Sequence, residues 1–127
     1  MNDAVILDTH VVLWWLADDD RLGTAGRKLI ADPQAEVLVS AATVWEIAIK
    51  RELGKLTAPD DLLTQLRANR IAVIPIEAAD ASEAGGLPNH HRDPFDRMII
   101  AQARGNDMPV MTADPEFSAY DVQLRTP

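Results

Sequence analysis

The sequence predicts an α/β domain of three layers, α/β/α, with helices on both faces of a central, mainly parallel sheet of four or five strands. Three observations lead there. Short runs of unbroken hydrophobicity, at Ala4–Leu7, Val37–Val39, Ile71–Ile74 and Pro109–Met111, have the make-up of strands buried on both sides. Helical segments separate them, so successive strands are joined by crossovers and not by hairpins. The 127 residues contain no internal repeat, low-complexity tract or linker, which makes residues 1–127 a single domain with one core.

In chain order, Ala4–Leu7 is the first strand and ends at Asp8; Thr9 then caps a helix through Val11 to Leu16. Asp18 to Arg21 is a polar break. Thr24–Ala31 is a short helix, stopped before Asp32 and Pro33. After the second strand, Ser40 caps a strong helix, Ala41–Leu53, that ends at Gly54. A helix begun near Pro59 runs through Leu62–Asn69, and the third strand is closed by Pro75. A weaker helix spans Ala78–Ala84, and Gly85–Asn89 is a loop. In HHRDPFDRMIIAQA, Asp93 is a favoured N-cap, Pro94 suits the first helical position, and Asp96 falls in the first turn of a helix through Arg104. Pro109–Met111 is followed by a turn at Asp114 and Pro115, and Val122–Leu124 is a candidate fifth strand.

Composition narrows the classes of function. With 47% hydrophobic and 25% charged residues the chain is ordinary for a soluble protein, and no apolar run is long enough to span a membrane. No basic leader precedes an apolar segment, and cysteine is absent, so a reducing cytoplasm is expected and thiolate metal sites are excluded. The formal net charge of -8 opposes broad attraction to nucleic acid. Binding to a polyanion then requires a divalent metal and a local basic fringe, for which Lys50, Arg51, Arg92 and Arg97 are the candidates, with Lys55 in the same cluster as the first two.

In open α/β sheets ligands bind beyond the carboxyl ends of the strands, near the point where the winding reverses. Asp8 ends the first strand and Asp114 follows the fourth, in VMTAD. Glu46 lies in the second turn of the helix leaving the second strand, and Asp96 in the first turn of its own helix. Each acid also has an ordinary explanation: an Asx-turn for Asp8, pairing with Lys50 for Glu46, the helix dipole for Asp96, a turn for Asp114. Their convergence on one rim is harder to explain that way. Carboxylates so close raise one another's pKa unless a cation sits among them, and all-oxygen ligation favours magnesium or manganese over zinc. His10, His90 and His91 match no zinc spacing; each is a possible nitrogen ligand, His91 beside Arg92 is alternatively a phosphate contact, and all three stay unassigned. Trp14 and Trp15 point about 100° apart on a helix, so one is expected at a subunit or partner interface, the rival being partial burial of both.

ILDTHVVLWWL, SAATVWEIAIKRELGKL, LPNHHRDPFDRMIIAQA and VMTADPEF, in this order and together spanning nearly the whole chain, resemble the signature blocks of the PIN-domain family, and within it the VapC toxins of bacterial toxin–antitoxin pairs. The resemblance implies a metal-dependent ribonuclease using Mg2+ or Mn2+, with catalytic acids at Asp8, Glu46, Asp96 and Asp114. The metal would be held by Asp8 and Asp96 directly, with Asp114 and Glu46 through water or at a second ion. Asp93 and Thr9 are helix caps beside the site. It further implies single-stranded or looped RNA as substrate, such as transfer RNA or a ribosomal RNA loop, and a VapB-type antitoxin that blocks the site. Operator DNA is reached only through that antitoxin, and the toxin is a homodimer.

Two rival classes turn on particular residues. A phosphorylated receiver domain needs an aspartate after its third strand and a lysine near its last; here the third strand runs into IPIEA and no lysine follows Lys55. A non-cleaving PIN-like module that binds RNA or protein is opposed only by the intact set of acids.

Overall fold

The structure is a computed structural model, and residues 3–127 are described. Strands β1 (Ala4–Leu7), β2 (Glu36–Ser40), β3 (Ile71–Ile74), β4 (Val110–Met111) and β5 (Leu124–Arg125) form one sheet in the order β3-β2-β1-β4-β5, every adjacent pair parallel. The crossovers carry α1 (Thr9–Ala17), α2 (Thr24–Ala31), α3 (Ala41–Glu52), α4 (Leu62–Ala68), α5 (Ala78–Gly86) and α6 (Pro94–Gly105). The winding moves outward from β1 to β3, then returns to place β4 on the other side of β1. The reversal therefore lies between the carboxyl ends of β1 and β4.

Strand alternation sorts the core into two layers. Val5, Leu7, Val37, Val39 and Met111 pack on one side of the sheet with Val11 and Val12 of α1, Ile30 of α2, Ile47 of α3 and Leu66 of α4. Ile6, Leu38 and Val110 face the other side, against Ala84 of α5, Ile99, Ile100 and Ala103 of α6, and Phe117. Both faces of β1, β4 and the Val37–Ser40 part of β2 are covered, which is why their sequences are almost continuously apolar, whereas the edge strands β3 and β5 stay partly exposed.

Helix ends follow local chemistry with some shifts from expectation. Ser40 accepts from Ala42 N–H at 3.0 Å, and Asp93 accepts from Phe95 N–H at 2.8 Å, so both caps are where the sequence places them. The α3 helix closes with Gly54 at φ 71°, where Gly54 N–H bonds the Arg51 carbonyl and Lys55 N–H that of Lys50. The cap of α1, however, is Asp8 and not Thr9: the Asp8 carboxylate accepts from Thr9 N–H at 2.6 Å, and the helix starts at Thr9. Helix α4 starts at Leu62. Asp114 caps a 3-10 turn, Pro115–Ala119, where the sequence suggested a simple turn.

The tryptophan pair also resolves. Trp14 and Trp15 are both half-buried against the first core layer, with Trp15 Nε1 donating to Asn69 Oδ1 at 3.1 Å and the Arg21 guanidinium 5.2 Å from the Trp14 ring centroid. This is the partial burial of both that the sequence left as the rival reading. The exposed tryptophan is Trp45 of α3, at 62% exposure, edge-on to Phe95 and on one helix face with Ile49 and Leu53.

Candidate active site

Asp8 is brought to the rim by β1 and fixed there from two directions. Its Oδ1 accepts from Thr9 N–H at 2.6 Å, and its Oδ2 accepts from the Thr112 hydroxyl, just past β4, at 2.8 Å. These bonds favour the charged form, but burial outweighs them and the carboxyl lies above the ordinary aspartate range. Thr9 has a second task, because its hydroxyl donates to Glu46 Oε1 at 2.6 Å. Glu46, buried on α3, also accepts from Lys50 Nζ at 2.5 Å. The β1–α1 junction is thereby tied to α3 through one threonine.

Asp96 arrives on the first turn of α6, which the Asp93 cap and Pro94 start. Burial, then the neighbouring charges of Asp8 and Asp93, push its carboxyl up to about 7. Against it stands His91, whose Nε2 is 2.7 Å from Asp96 Oδ2 and 3.7 Å from Asp114 Oδ2. The other ring nitrogen, Nδ1, is 2.8 Å from Glu116 Oε2. Burial lowers the imidazole pKa, yet the bond to Asp96 and the charges of Asp96, Glu116 and Asp114 outweigh it and the net shift is upward. Asp114 is oriented by its own backbone N–H, which donates to Thr112 Oγ1 at 3.0 Å.

Of the four acids expected from the sequence, Asp96 and Asp114 lie together at the rim beside His91, Asp8 is near enough for its charge to raise Asp96, and Glu46 near enough to raise Asp8. The tightest donor set among the described residues is His91, Asp96 and Asp114, with one ligand atom from each all within 4.8 Å of one another. Asp8 sits beside this trio, near enough for its charge to raise Asp96. Two carboxylate oxygens and one imidazole nitrogen, with Asp8 adjacent, suit a hard divalent ion. His91, Thr112 and Glu116 were not assigned from the sequence. The proximity of His91 to DPFD was visible there; the long-range approach of Glu116 and Thr112 was not.

The basic residues divide. Lys50 is tied to Glu46, which raises its pKa, and Arg51 pairs with Asp60. Arg92 is exposed next to His91. Arg97 differs most from its expected phosphate-facing role. Its Nη2 donates to the carbonyls of Ala84 and Leu87, each at 2.9 Å, and its Nη1 to those of Pro88 and His91 at 3.0 and 3.2 Å. It closes the carboxyl end of α5 and braces the loop that carries His91.

A family model described as the PIN domain matches residues 5–123, and the chain belongs to that family. It is 31% identical over 119 residues to Ribonuclease VapC22 of Mycobacterium tuberculosis, covering 91% of each chain. In fold it is similar to VapBC2 from Rickettsia felis bound to a DNA fragment from its promoter, with a TM-score of 0.71 at 14% identity over 96% of this chain and 97% of that one. DNA-bound VapBC from Salmonella typhimurium is similar too, with a TM-score of 0.67 at 20% identity and 98% of both chains covered.

Proposed function

We propose that this chain is a metal-dependent endoribonuclease, the toxin of a toxin–antitoxin pair. The observation that carries this is the placement of Asp96 and Asp114 in reach of a common ion at the winding reversal of a parallel sheet, with Asp8 close enough to raise Asp96 and Glu46 close enough to raise Asp8. The 31% identity to a protein named as a ribonuclease supports it, as does likeness in fold to VapBC complexes.

Asp8, Asp96 and Asp114 would hold Mg2+ or Mn2+. Such an ion, when bound, supplies a water of lowered pKa and stabilises charge on the oxygens of a scissile phosphodiester. The chain's own residues prepare the place. Thr9 and Thr112 hold the Asp8 carboxylate in one orientation, and Lys50 with Thr9 does the same for Glu46. Burial at the rim excludes water from Asp8 and Glu46, so their charges act through a weakly screening medium. Arg92, exposed beside the site, is the first candidate for the fringe that holds the RNA backbone, with Lys50 and Arg51 contributing from their ion pairs with Glu46 and Asp60. An accessible backbone is needed at such a rim, so a single-stranded or looped region of transfer or ribosomal RNA is the substrate class.

The partner is a VapB-type antitoxin, which alone contacts operator DNA; a basic segment of it suits the acidic rim and the net charge of -8. The exposed face of Trp45, Ile49 and Leu53 is the apolar surface available for homodimerisation. The cytoplasm is the site of action, and no helix among the described residues is long and apolar enough to cross a membrane.

Antitoxin-free protein is incubated with total RNA in Mg2+, Mn2+ or EDTA, beside Asp96→Asn. Discrete fragments that need the metal and vanish in the variant are expected. RNA left intact by wild type across transfer, ribosomal and messenger substrates would replace this reading with the non-cleaving binding module.

A further inference from the structure

We propose that His91 is a direct ligand of the divalent ion, through Nε2, and that Glu116 is the group that aims it. This rests on the metal-centre reading above and extends it to a nitrogen donor in a site otherwise built of carboxylates. His91 is held at both its backbone and its ring. Its backbone N–H donates to the Tyr120 hydroxyl at 2.7 Å, its carbonyl accepts from Arg97, and its ring lies edge-on to Phe117 with centroids 6.2 Å apart. Its side chain is only 12% exposed. So fixed, Nε2 faces Asp96 Oδ2 and Asp114 Oδ2, at 2.7 and 3.7 Å.

The other nitrogen decides what Nε2 has to offer. Nδ1 is 2.8 Å from Glu116 Oε2, much closer than the Asp93 N–H at 3.5 Å, and a carboxylate there accepts a hydrogen bond from Nδ1–H. That leaves the Nε2 lone pair for a cation, directed between two aspartates. Carboxylate–histidine–metal relays have this arrangement: the outer acid fixes the tautomer and ring angle and makes the nitrogen a stronger donor. In the ion-free chain Nε2 is hydrogen-bonded to Asp96 Oδ2 at 2.7 Å, and the ion would take the place of that bond. A nitrogen donor also strengthens binding of Mn2+ relative to Mg2+, because affinity for the later, softer ion gains more from imidazole.

The test is pulsed electron paramagnetic resonance of the full chain loaded with Mn2+, reading nitrogen-14 modulation of the metal signal, with Mn2+ affinity measured in parallel. Wild type should show directly bound nitrogen, His91→Gln should bind Mn2+ and lose that modulation, and Glu116→Gln should keep it while binding Mn2+ roughly 10-fold or more weakly. Modulation that persists in His91→Gln would assign the nitrogen to another histidine and overturn the inference. Bound Mn2+ without nitrogen modulation in wild type overturns it as well, leaving the carboxylate centre and its RNA cleavage intact. Absence of Mn2+ binding by wild type overturns both the ligand assignment and the metal-centre reading beneath it.

Discussion

Replacing Arg97 separates a structural role from an RNA-binding one. Its guanidinium donates to the carbonyls of Ala84, Leu87, Pro88 and His91 at 2.9 to 3.2 Å, from the last turn of α5 through the loop to α6. A hydrogen bond to a charged group contributes about 1.5–3 kcal/mol, but one side chain serving several half-exposed carbonyls gives less than the sum. Arg97→Met should therefore cost about 3 kcal/mol, and Arg97→Lys, which keeps the charge but loses the planar fork, about 2 kcal/mol. For a domain of this size 3 kcal/mol corresponds to a fall in Tm of roughly 10 °C. Urea unfolding followed by circular dichroism measures the difference, and cleavage kinetics on the folded fraction measure KM. Loss of stability with KM nearly unchanged in Arg97→Lys is expected. A stability change below about 0.5 kcal/mol together with a large rise in KM would refute the brace and restore Arg97 to the phosphate fringe.

Further outcomes follow from the same geometry. The carboxyl of Asp96 is raised to about 7 and those of Asp8 and the His91 imidazole are also raised, so the folded, metal-free chain holds more protons than the unfolded one below neutrality. All three shifts have one sign: Tm of the EDTA-treated chain should fall as pH rises from 5 to 8, and saturating Mg2+ should flatten that fall. Calorimetric Mg2+ affinity should climb over the same range, because protons cease to compete at Asp96 and His91. A metal-free Tm that rises through this interval would contradict the assignment. At the helix start, Asp93→Asn keeps a good capping side chain and should leave stability within about 0.5 kcal/mol, whereas Asp93→Ala should cost about 1 kcal/mol by urea unfolding. Both remove a charge that raises Asp96, so both should move the pH midpoint of metal binding downward.

Much of this site was legible because local rules and the sheet rule agreed. Asp93, Pro94 and Asp96 announce a helix start, and that start is where the structure puts them. Asp8 and Asp114 follow apolar runs short enough to be buried parallel strands, which sends both to the same edge. What could not be read was side-chain choice among several partners. Arg97 sits one residue from Asp96 and looks like a phosphate contact, yet carbonyls at the end of α5 claim it through tertiary packing. Thr9 looks like a cap, but Asp8 takes that role and frees its hydroxyl for Glu46. Trp14 and Trp15 diverge on their helix, but α1 meets a core broad enough to half-bury both. Glu116 reaches His91 only because Asp114 and Pro115 open a 3-10 turn that carries it back over the rim.

The central claim is that the acids at the winding reversal form one metal centre. An anomalous difference map from crystals of the full chain soaked in Mn2+ tests it most directly. A peak bounded by the carboxylates of Asp8, Asp96 and Asp114 is expected, absent from Asp96→Asn crystals soaked alike. Manganese bound elsewhere, or a peak that survives in the variant, would contradict it.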